Sequence, residues 1–200
     1  MIKIITLSTL FFVFLLGCEK IAEKKKYYPN GKLKEQWEVT KDEYGQEIKN
    51  GLYKAWFDNG QIHHEINYLD DKKHGVQRSY YKNGKQELEE NYLFGKLSGK
   101  KKTWTIDGKP ELEMDYVDGK KHGLDKRYRE NGKIHHEISY KNGLKDGTHK
   151  FFDSEGKLDK TQWYKDGNIT DQPADSTLAA EAAPAKADSG KATDSAKTAE

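Results

Sequence analysis

The chain has 200 residues, of which 34% are charged and 34% belong to the hydrophobic set, while aromatic residues reach 12%. So many aromatic rings argue against a wholly disordered chain, and so few apolar residues argue against a deep core. The net charge is only +2, from 35 basic and 33 acidic residues, so we expect no nucleic-acid partner, because such partners require a clear basic excess.

The first 17 residues have the pattern of a signal peptide. Lys3 precedes an apolar stretch from Ile4 to Leu16, which is shorter than the roughly 20 residues of a membrane-spanning helix and fits a secretory apolar region. Gly17, a small residue, then precedes Cys18, the only cysteine of the chain. An ordinary signal peptide with an incidental cysteine is the alternative interpretation.

The segment Leu15-Leu16-Gly17-Cys18 resembles the lipobox of a bacterial lipoprotein. The resemblance implies cleavage before Cys18 and attachment of diacylglycerol to its sulfur, which leaves no thiol for a disulfide. It also implies a lipid-anchored protein of the bacterial cell envelope, at the outer membrane if the cell has one, with the inner membrane left open. We predict a short charged tether over residues 18–26.

The middle of the chain, residues 27–168, repeats with a period of 24 residues. The recurring glycines are Gly60, Gly84, Gly108, Gly132 and Gly156, and the aromatic residues four positions earlier are Trp56, Tyr80, Trp104, Tyr128 and Phe152. An opening unit around Gly31 lies 29 residues before Gly60, because it carries a five-residue insertion. The sequence therefore predicts six structural units.

Each unit has the pattern of a β-hairpin. Asn or Asp precedes most of the recurring glycines, and such pairs favour a two-residue type I′ turn. The flanking segments alternate with period two, as in Ile134, His136, Ile138 and Tyr140. Short links between units favour antiparallel neighbours. We therefore predict an all-β fold, an elongated single-layer antiparallel β-meander of about six 24-residue hairpin repeats.

The stretches "NGKIHHEISYKNG" and "DGKKHG" resemble MORN-type repeats, specifically the bacterial variant often called the YwqK-like antitoxin family. The resemblance implies the hairpin fold, and the family label implies an antitoxin or immunity-type protein. The Gly-x-Gly that follows the link in eukaryotic MORN repeats is absent, because Leu124 and Asp125 follow Gly123. A lipid-binding role of those relatives is therefore not implied.

Two histidine pairs suggest a metal site at first sight. His63 and His64 recur as His135 and His136, but adjacent residues of a strand point to opposite faces. The two pairs also lie six strands apart, about 29 Å at the usual strand spacing. We predict histidines in repeat columns and neither a metal nor another cofactor. A metal-dependent enzyme remains the alternative, and it would require bound zinc.

A basic column lies six residues before each recurring glycine and should face an acidic column five residues after it. The basic residues are Lys54, Arg78, Lys102, Lys126 and Lys150, and their partners are Glu65, Glu89, Glu113, Glu137 and Thr161. We interpret them as cross-strand ion pairs that set the register, with an anion-binding ladder as the alternative. The aromatic column shares their face, and the more apolar face carries Ile62, Ile66, Tyr68, Leu88, Tyr92, Leu112, Met114, Tyr116, Ile134, Ile138 and Tyr140.

Residues 169–200 are predicted to form a disordered tail. This segment is rich in Ala, Asp, Ser and Lys and has no aromatic residue, so it cannot bury enough surface to offset the entropy of ordering.

The sequence has no sign of a catalytic centre, since no nucleophile stands beside a base and no phosphate-binding loop occurs. We predict a non-catalytic envelope protein that presents its sheet to a protein or wall polymer. An immunity-type lipoprotein that neutralises a toxin is the second hypothesis, and a metal-dependent enzyme is the third. The predicted binding residues are Trp56, Tyr80, Trp104, Tyr128, Lys120 and Lys121.

Overall fold

The computed structural model describes residues 21–171, so the predicted signal peptide, Cys18 and nearly all of the predicted tail lie outside the described residues. Within that range thirteen strands form a single antiparallel sheet in strict chain order, which confirms the predicted all-β meander. The strands are β1 (Ala22–Tyr27), β2 (Leu33–Lys41), β3 (Glu47–Trp56), β4 (Ile62–Leu69), β5 (Lys72–Tyr80), β6 (Gln86–Leu93), β7 (Lys96–Trp104), β8 (Pro110–Val117), β9 (Lys120–Tyr128), β10 (Ile134–Lys141), β11 (Leu144–Phe152), β12 (Leu158–Lys165) and β13 (Asn168–Thr170). Over this same range, no helix is long and apolar enough to cross a membrane.

The turn inside each hairpin has three residues, not the two that the sequence predicts. In the second hairpin the amide of Gly60 donates to the carbonyl of Phe57 at 2.9 Å, and the amide of Phe57 donates to the carbonyl of Gln61 at 2.8 Å. Gly60 has a φ of 90°, whereas Asn59 is not among the residues with positive φ. This is a type I turn followed by a glycine in the left-handed region, which is the usual form of a three-residue hairpin loop.

The hydrogen bonds of its side chain explain why asparagine occupies position 59 of this turn. The Oδ1 atom of Asn59 accepts a hydrogen bond from the amide of Gln61 at 3.0 Å. Its Nδ2 atom donates to the carbonyl of Lys82 in the next hairpin, also at 3.0 Å. Asn83 and Asn131 make the same pair of contacts. The Asn-Gly pairs therefore mark turns, as predicted, but they also bind successive hairpins to each other.

A β-bulge follows each of these turns and restores the predicted pairing. Trp56 faces Ile62 and Ala55 faces His64, so His63 is an extra residue in β4. The longer loop shifts the pairing by one residue, and the extra residue in β4 shifts it back. Lys54 therefore faces Glu65 as predicted. The bulged residues of the six hairpins are Lys34, His63, Glu87, Glu111, His135 and Asp159. The bulge also turns Ile62 and Ile134 to the face of the aromatic column, which corrects their predicted placement.

The links that follow β4, β6, β8, β10 and β12 carry type I′ turns, whereas the first link, β2–β3, has a three-residue loop that ends at Gly45. Asp118 and Gly119 both have positive φ, at 50° and 79°, and Val117 faces Lys120 across the turn. The equivalent links have Asp70 with Asp71, Phe94 with Gly95, Asn142 with Gly143 and Asp166 with Gly167. The two-residue turn predicted for the hairpin tips is therefore found at the opposite ends of the strands.

Both ends of the predicted repeat region extend further than the sequence indicates. Residues 22–26 of the predicted tether belong to β1, where they pair with β2 as the first strand of the first hairpin. Ile169 and Thr170, assigned to the tail, pair with Tyr164 and Trp163 in β13. Backbone pairing with a neighbouring strand stabilises these polar segments, which composition alone would leave disordered.

The core of this single layer is centred on one row of side chains across the sheet, and Val39, Thr40, Ala55 and Ser79 outside that row are buried as well. Each member of this central row faces the next across a strand pair: Lys24, Trp37, Tyr53, Ile66, Gln77, Glu90, Lys101, Met114, Asp125, Ile138, His149 and Gln162. Met114 and Asp125 are the most buried of them, at 2% and 1% exposure. Same-face contacts between neighbouring hairpins therefore supply the buried area that a second layer provides in other folds.

Candidate binding surface

The two faces of the sheet differ in character. The face with the central row is called the core face, and its row is flanked by Tyr68, Tyr92, Tyr116, Tyr140 and Tyr164. The opposite face, called the ladder face, carries the charged columns together with Tyr27, Trp56, Tyr80, Trp104, Tyr128 and Phe152. Trp56, Tyr80, Trp104 and Tyr128 are half-buried, so each ring exposes part of its surface. Consecutive rings lie two strands apart, about 10 Å at the usual strand spacing.

The predicted lysines do not join these rings. Lys121 lies on the core face, where its Nζ atom is 4.8 Å from the ring centre of Tyr140 and 3.5 Å from Oδ2 of Asp125. Lys120 is exposed at the link end of β9, at the opposite end of that strand from Tyr128. The predicted set of six residues is therefore divided, and only the four aromatic residues share a surface.

The charged columns of the ladder face have the predicted register. Lys54 is 3.2 Å from Glu65, Arg78 is 2.9 Å from Glu89, and Lys126 is 3.6 Å from Glu137. These side chains are partly exposed, so each pair contributes at most about 1 kcal/mol. Because these pairs recur in three of the four interior hairpins, they help to fix the register and to hold the aromatic rings in one line.

One hairpin departs from this pattern at its lysine. Glu113 faces Lys102 across the strands, but its carboxylate is 3.0 Å from Nζ of Lys100. Lys100 also contacts Asp115 at 3.0 Å, and the two carboxylates raise the pKa of Lys100. Lys102 has no ion pair among residues 21–171. Its ammonium group is therefore available to a ligand.

A shallow depression surrounds this lysine. Lys102, Trp104, Pro110, Glu113 and Tyr128 line it, together with Thr103 and Leu112. Two rings from neighbouring hairpins thus flank one ammonium group and one carboxylate. Aromatic rings of this kind bind apolar or ring-shaped surfaces, while the charged groups select polar substituents. This depression is the part of the ladder face best suited to bind a partner.

The histidine pairs do not have the predicted geometry. The bulge places both rings of a pair on one side, with centroids 3.6 Å apart for His63 and His64 and 5.0 Å apart for His135 and His136. The prediction of opposite faces is therefore wrong. No group of three or more His, Cys, Asp or Glu side chains in the described part of the chain is placed to hold a metal ion.

His149 is the most perturbed histidine of the core face. It is 8% exposed, stacks on Phe151 at 3.9 Å and meets His136 at 5.5 Å. Neither ring nitrogen has a hydrogen-bond partner in the described residues. Burial, followed by the charge of Lys145, lowers the pKa of His149 to about 4. This ring is therefore held neutral at ordinary pH.

The central row also buries two carboxylates that sequence reasoning did not single out. Glu90 is 6% exposed and accepts hydrogen bonds from Lys101 Nζ at 2.8 Å and from Tyr92 Oη at 2.9 Å. Burial and Glu90 together raise the pKa of Tyr92. Asp125 lies between Lys121 and Arg127, at 3.5 and 3.7 Å. These contacts compensate the buried charges, so the row has a structural explanation.

Comparison with known families agrees with this geometry. The MORN repeat variant matches residues 22–40, 49–70, 73–94 and 121–142. Four of the hairpins coincide with these matches. They are β1–β2, β3–β4, β5–β6 and β9–β10, and the hairpins β7–β8 and β11–β12 repeat the same turn, bulge and register. No curated protein matches the chain.

Proposed function

We propose that this protein is a non-catalytic, lipid-anchored component of the bacterial cell envelope that binds a protein or wall polymer on its ladder face. MORN-type repeats favour a repeat-based binding role. The observation that carries the proposal is the depression between Trp104 and Tyr128, where an unpaired lysine stands between two half-exposed rings.

The chemistry of the depression suits an elongated polar ligand. Half-exposed rings can stack on sugar rings or on apolar side chains, and Lys102 can pair with a carboxylate of a wall peptide or an acidic protein segment. Trp56 and Tyr80 continue the line of rings on the same face, so a polymer could contact several hairpins at once. Weak contacts in line would then add to a useful affinity.

The anchor places the sheet close to a membrane in this proposal. Cys18 precedes the first residue of β1, Ala22, by only three intervening residues. A chain lipidated at Cys18 would hold its first hairpin next to the headgroups. The repeats would then extend from that point, with the ladder face open to other envelope components.

The binding proposal is tested with the full-length protein in bacterial cells. Trp104→Ala and Lys102→Glu should each lower in-cell cross-linking to envelope proteins, or sedimentation with purified wall polymer, by at least about fivefold. Lys120→Glu is the matched control, because it makes the same charge change at an exposed lysine at the link end of β9, away from the rings and outside the depression. Unaltered capture by the Trp104 and Lys102 variants would refute the assignment.

The anchor has its own measurement. Cys18→Ser should abolish incorporation of a fatty-acid label and release the protein from the membrane fraction, while the β-sheet circular dichroism of the purified chain stays unchanged. Continued labelling of the Cys18→Ser variant, or membrane retention without any label, would contradict the lipid anchor.

A further inference from the structure

The sheet has two edges of unequal form. The last full strand, β12, is paired by β13 only at Trp163, Tyr164 and Lys165. Its residues 158–162 have no strand on that side within the described residues. At the other end, the outer side of β1 carries no neighbouring strand in the same part of the chain. Each edge therefore exposes backbone groups that a further strand could pair with.

The two edges are complementary in the register of the repeat. Tyr164 faces Ile169 as Tyr68 faces Lys73, so the three residues of β13 correspond to the first three residues of β5. Ala22 faces Val39 as Gly75 faces Tyr92, so β1 corresponds to the remaining residues of β5, 75–80. One edge strand thus stops at the position where the other begins.

We propose that two copies of this chain associate head to tail, with β1 of one copy paired antiparallel to the free part of β12 of the other. In this register Lys25 of one copy faces Thr161 of the other, as Arg78 faces Glu65 inside the chain. Gln162 faces Lys24, so the central row continues from copy to copy. The contact is heterologous, because different surfaces meet, and it can be repeated at the free ends.

Two side chains at the edges of the sheet are more exposed than their equivalents in the interior hairpins, as expected if a further strand normally covers them. Tyr27 is 56% exposed and Leu158 is 49% exposed, whereas the equivalent Tyr80 and Ile62 of interior hairpins are half-buried. In the proposed register the two exposed side chains lie at the same end of the new strand pair. Association would bring them to the exposure of their interior equivalents.

The hydrogen bonds between hairpin turns also end abruptly at the last hairpin. Lys85 Nζ donates to the carbonyl of Asp107 in the next turn, and Lys109 Nζ donates to that of Glu130, both at 2.7 Å. Lys157 is the corresponding residue of the last turn, and residues 21–171 contain no later hairpin turn for it to contact. The carbonyl groups around Pro29 in the first turn of a second copy would supply its acceptor.

The lysines of β1 are the feature that opposes this association, because exposed lysines protect many sheet edges. In this chain each of these lysines already forms an ion pair with a carboxylate. Lys24 is 2.8 Å from Glu47, Lys26 is 3.8 Å from Glu35, and Lys25 is paired with Glu23. Thr161 stands where four other hairpins have glutamate, so the junction contains no acidic partner for Lys25. We therefore expect a moderate, salt-dependent affinity.

Disulfide trapping tests the register directly. Full-length Lys25→Cys and Thr161→Cys chains, each with Cys18→Ala so that only the introduced thiol is present, are solubilised in detergent, mixed and oxidised. The Lys25→Cys and Thr161→Cys chains should form a mixed disulfide. The Lys25→Cys and Lys160→Cys chains should do so at least about tenfold more slowly, because residue 160 points to the other face. Absence of the mixed disulfide, or equal trapping of Lys25→Cys chains alone, would overturn the proposal.

Charge variants provide a second readout by sedimentation velocity. Thr161→Glu should tighten association about two- to fivefold, and Thr161→Lys should weaken it by a similar factor, since one cross-strand ion pair is gained or opposed. Lys25→Glu should restore the affinity lost with Thr161→Lys when the two chains are mixed. A chain that stays monomeric at all concentrations, with or without these substitutions, would also refute the junction.

Discussion

Single residues of the central row show how this sheet uses polar side chains where other folds use apolar ones. Gln77, Glu90, Asp125 and His149 are all buried, although residues of these types are usually exposed. Composition could not reveal them, because their partners, such as Lys101 for Glu90, come from a neighbouring strand. The apolar members of the row, Ile66, Met114 and Ile138, were predicted for the more apolar face, and the structure confirms that they share the core face.

His149 predicts a loss of stability in acid. Its pKa of about 4 in the folded protein lies below the ordinary 6.5, so the unfolded chain binds more protons between these values. Stability should be complete above about pH 6.5 and should fall by about 3 kcal/mol as the pH is lowered to 4. The groups facing this ring are Lys145, Phe151, His136, Gln162 and Tyr164.

Urea unfolding at a series of pH values measures this effect. His149→Phe should reduce the acid loss, because an uncharged ring can keep the stacking on Phe151. His135→Gln is the control, because His135 is exposed, and it should leave the acid loss intact. His63, His64 and His136, whose pKa values burial also lowers, contribute to the part that remains. An acid loss of the same size in His149→Phe would show that this ring is not the cause.

At the scale of the element, turns and bulges decide what the sequence could and could not predict. The pairing of Lys54 with Glu65 was predicted from a two-residue turn and is confirmed, although the turn itself was wrong. A loop that is one residue longer and a bulge of one residue cancel in the register, so the charge pattern cannot distinguish the two arrangements. The adjacent rings of His63 and His64 follow from the same bulge, which leaves no mark in an alternating pattern.

A second bulge explains the glycine in the first half of each later hairpin. At Gly147, φ is 104° and an added Cβ would lie 3.0 Å from Cβ of Ser139. At Gly132, φ is 80° and an added Cβ would meet no atom within 4 Å. Gly147→Ala should therefore cost about 2–4 kcal/mol of unfolding free energy, against about 1 kcal/mol for Gly132→Ala.

The difference between the two glycine variants isolates the contact with Ser139. Adding Ser139→Gly to Gly147→Ala should recover most of that difference in urea unfolding, because the obstructing side chain is gone. Equal losses at both glycines would mean that backbone strain alone, and not the approach of the neighbouring strand, requires glycine at Gly147.

At the scale of the whole repeat region, the 24-residue period fixed the architecture because every unit contributes the same two strands. The period could not show where the sheet ends, because β1 and β13 are polar and lack the full repeat pattern. It also could not place Lys121 on the core face, which depends on the unequal bulges at the two ends of each strand. Four matched repeats and the observed register agree on the unit itself.

Deleting one complete unit tests this modular description. Removal of residues 96–119 eliminates β7 and β8 and joins Gly95 to Lys120, whose link is equivalent. The shortened chain should keep its β-sheet circular dichroism and lose about a sixth of its denaturant m-value, which scales with the surface exposed on unfolding.

A deletion of half a unit provides the contrast. Removal of residues 108–119 alone deletes β8 and its link, so β9 would follow β7 directly. The end of β9 that normally adjoins a link would then lie at a hairpin turn, and the bulges of the two strands would not be in matching positions. That chain should lose cooperative unfolding. A cooperative transition of the half-unit deletion, or an unfolded full-unit deletion, would contradict the model of interchangeable hairpins.

The strict succession of the strands has a consequence for how the polypeptide reaches its native state. Every strand bonds only to those made just before and just after it, so a chain delivered N-terminus first through a narrow channel never waits for a distant partner. Each hairpin can close onto the finished ones as soon as it emerges, and its assembly would draw the following segment forward. Such vectorial folding would leave little unpaired chain open to proteases during synthesis.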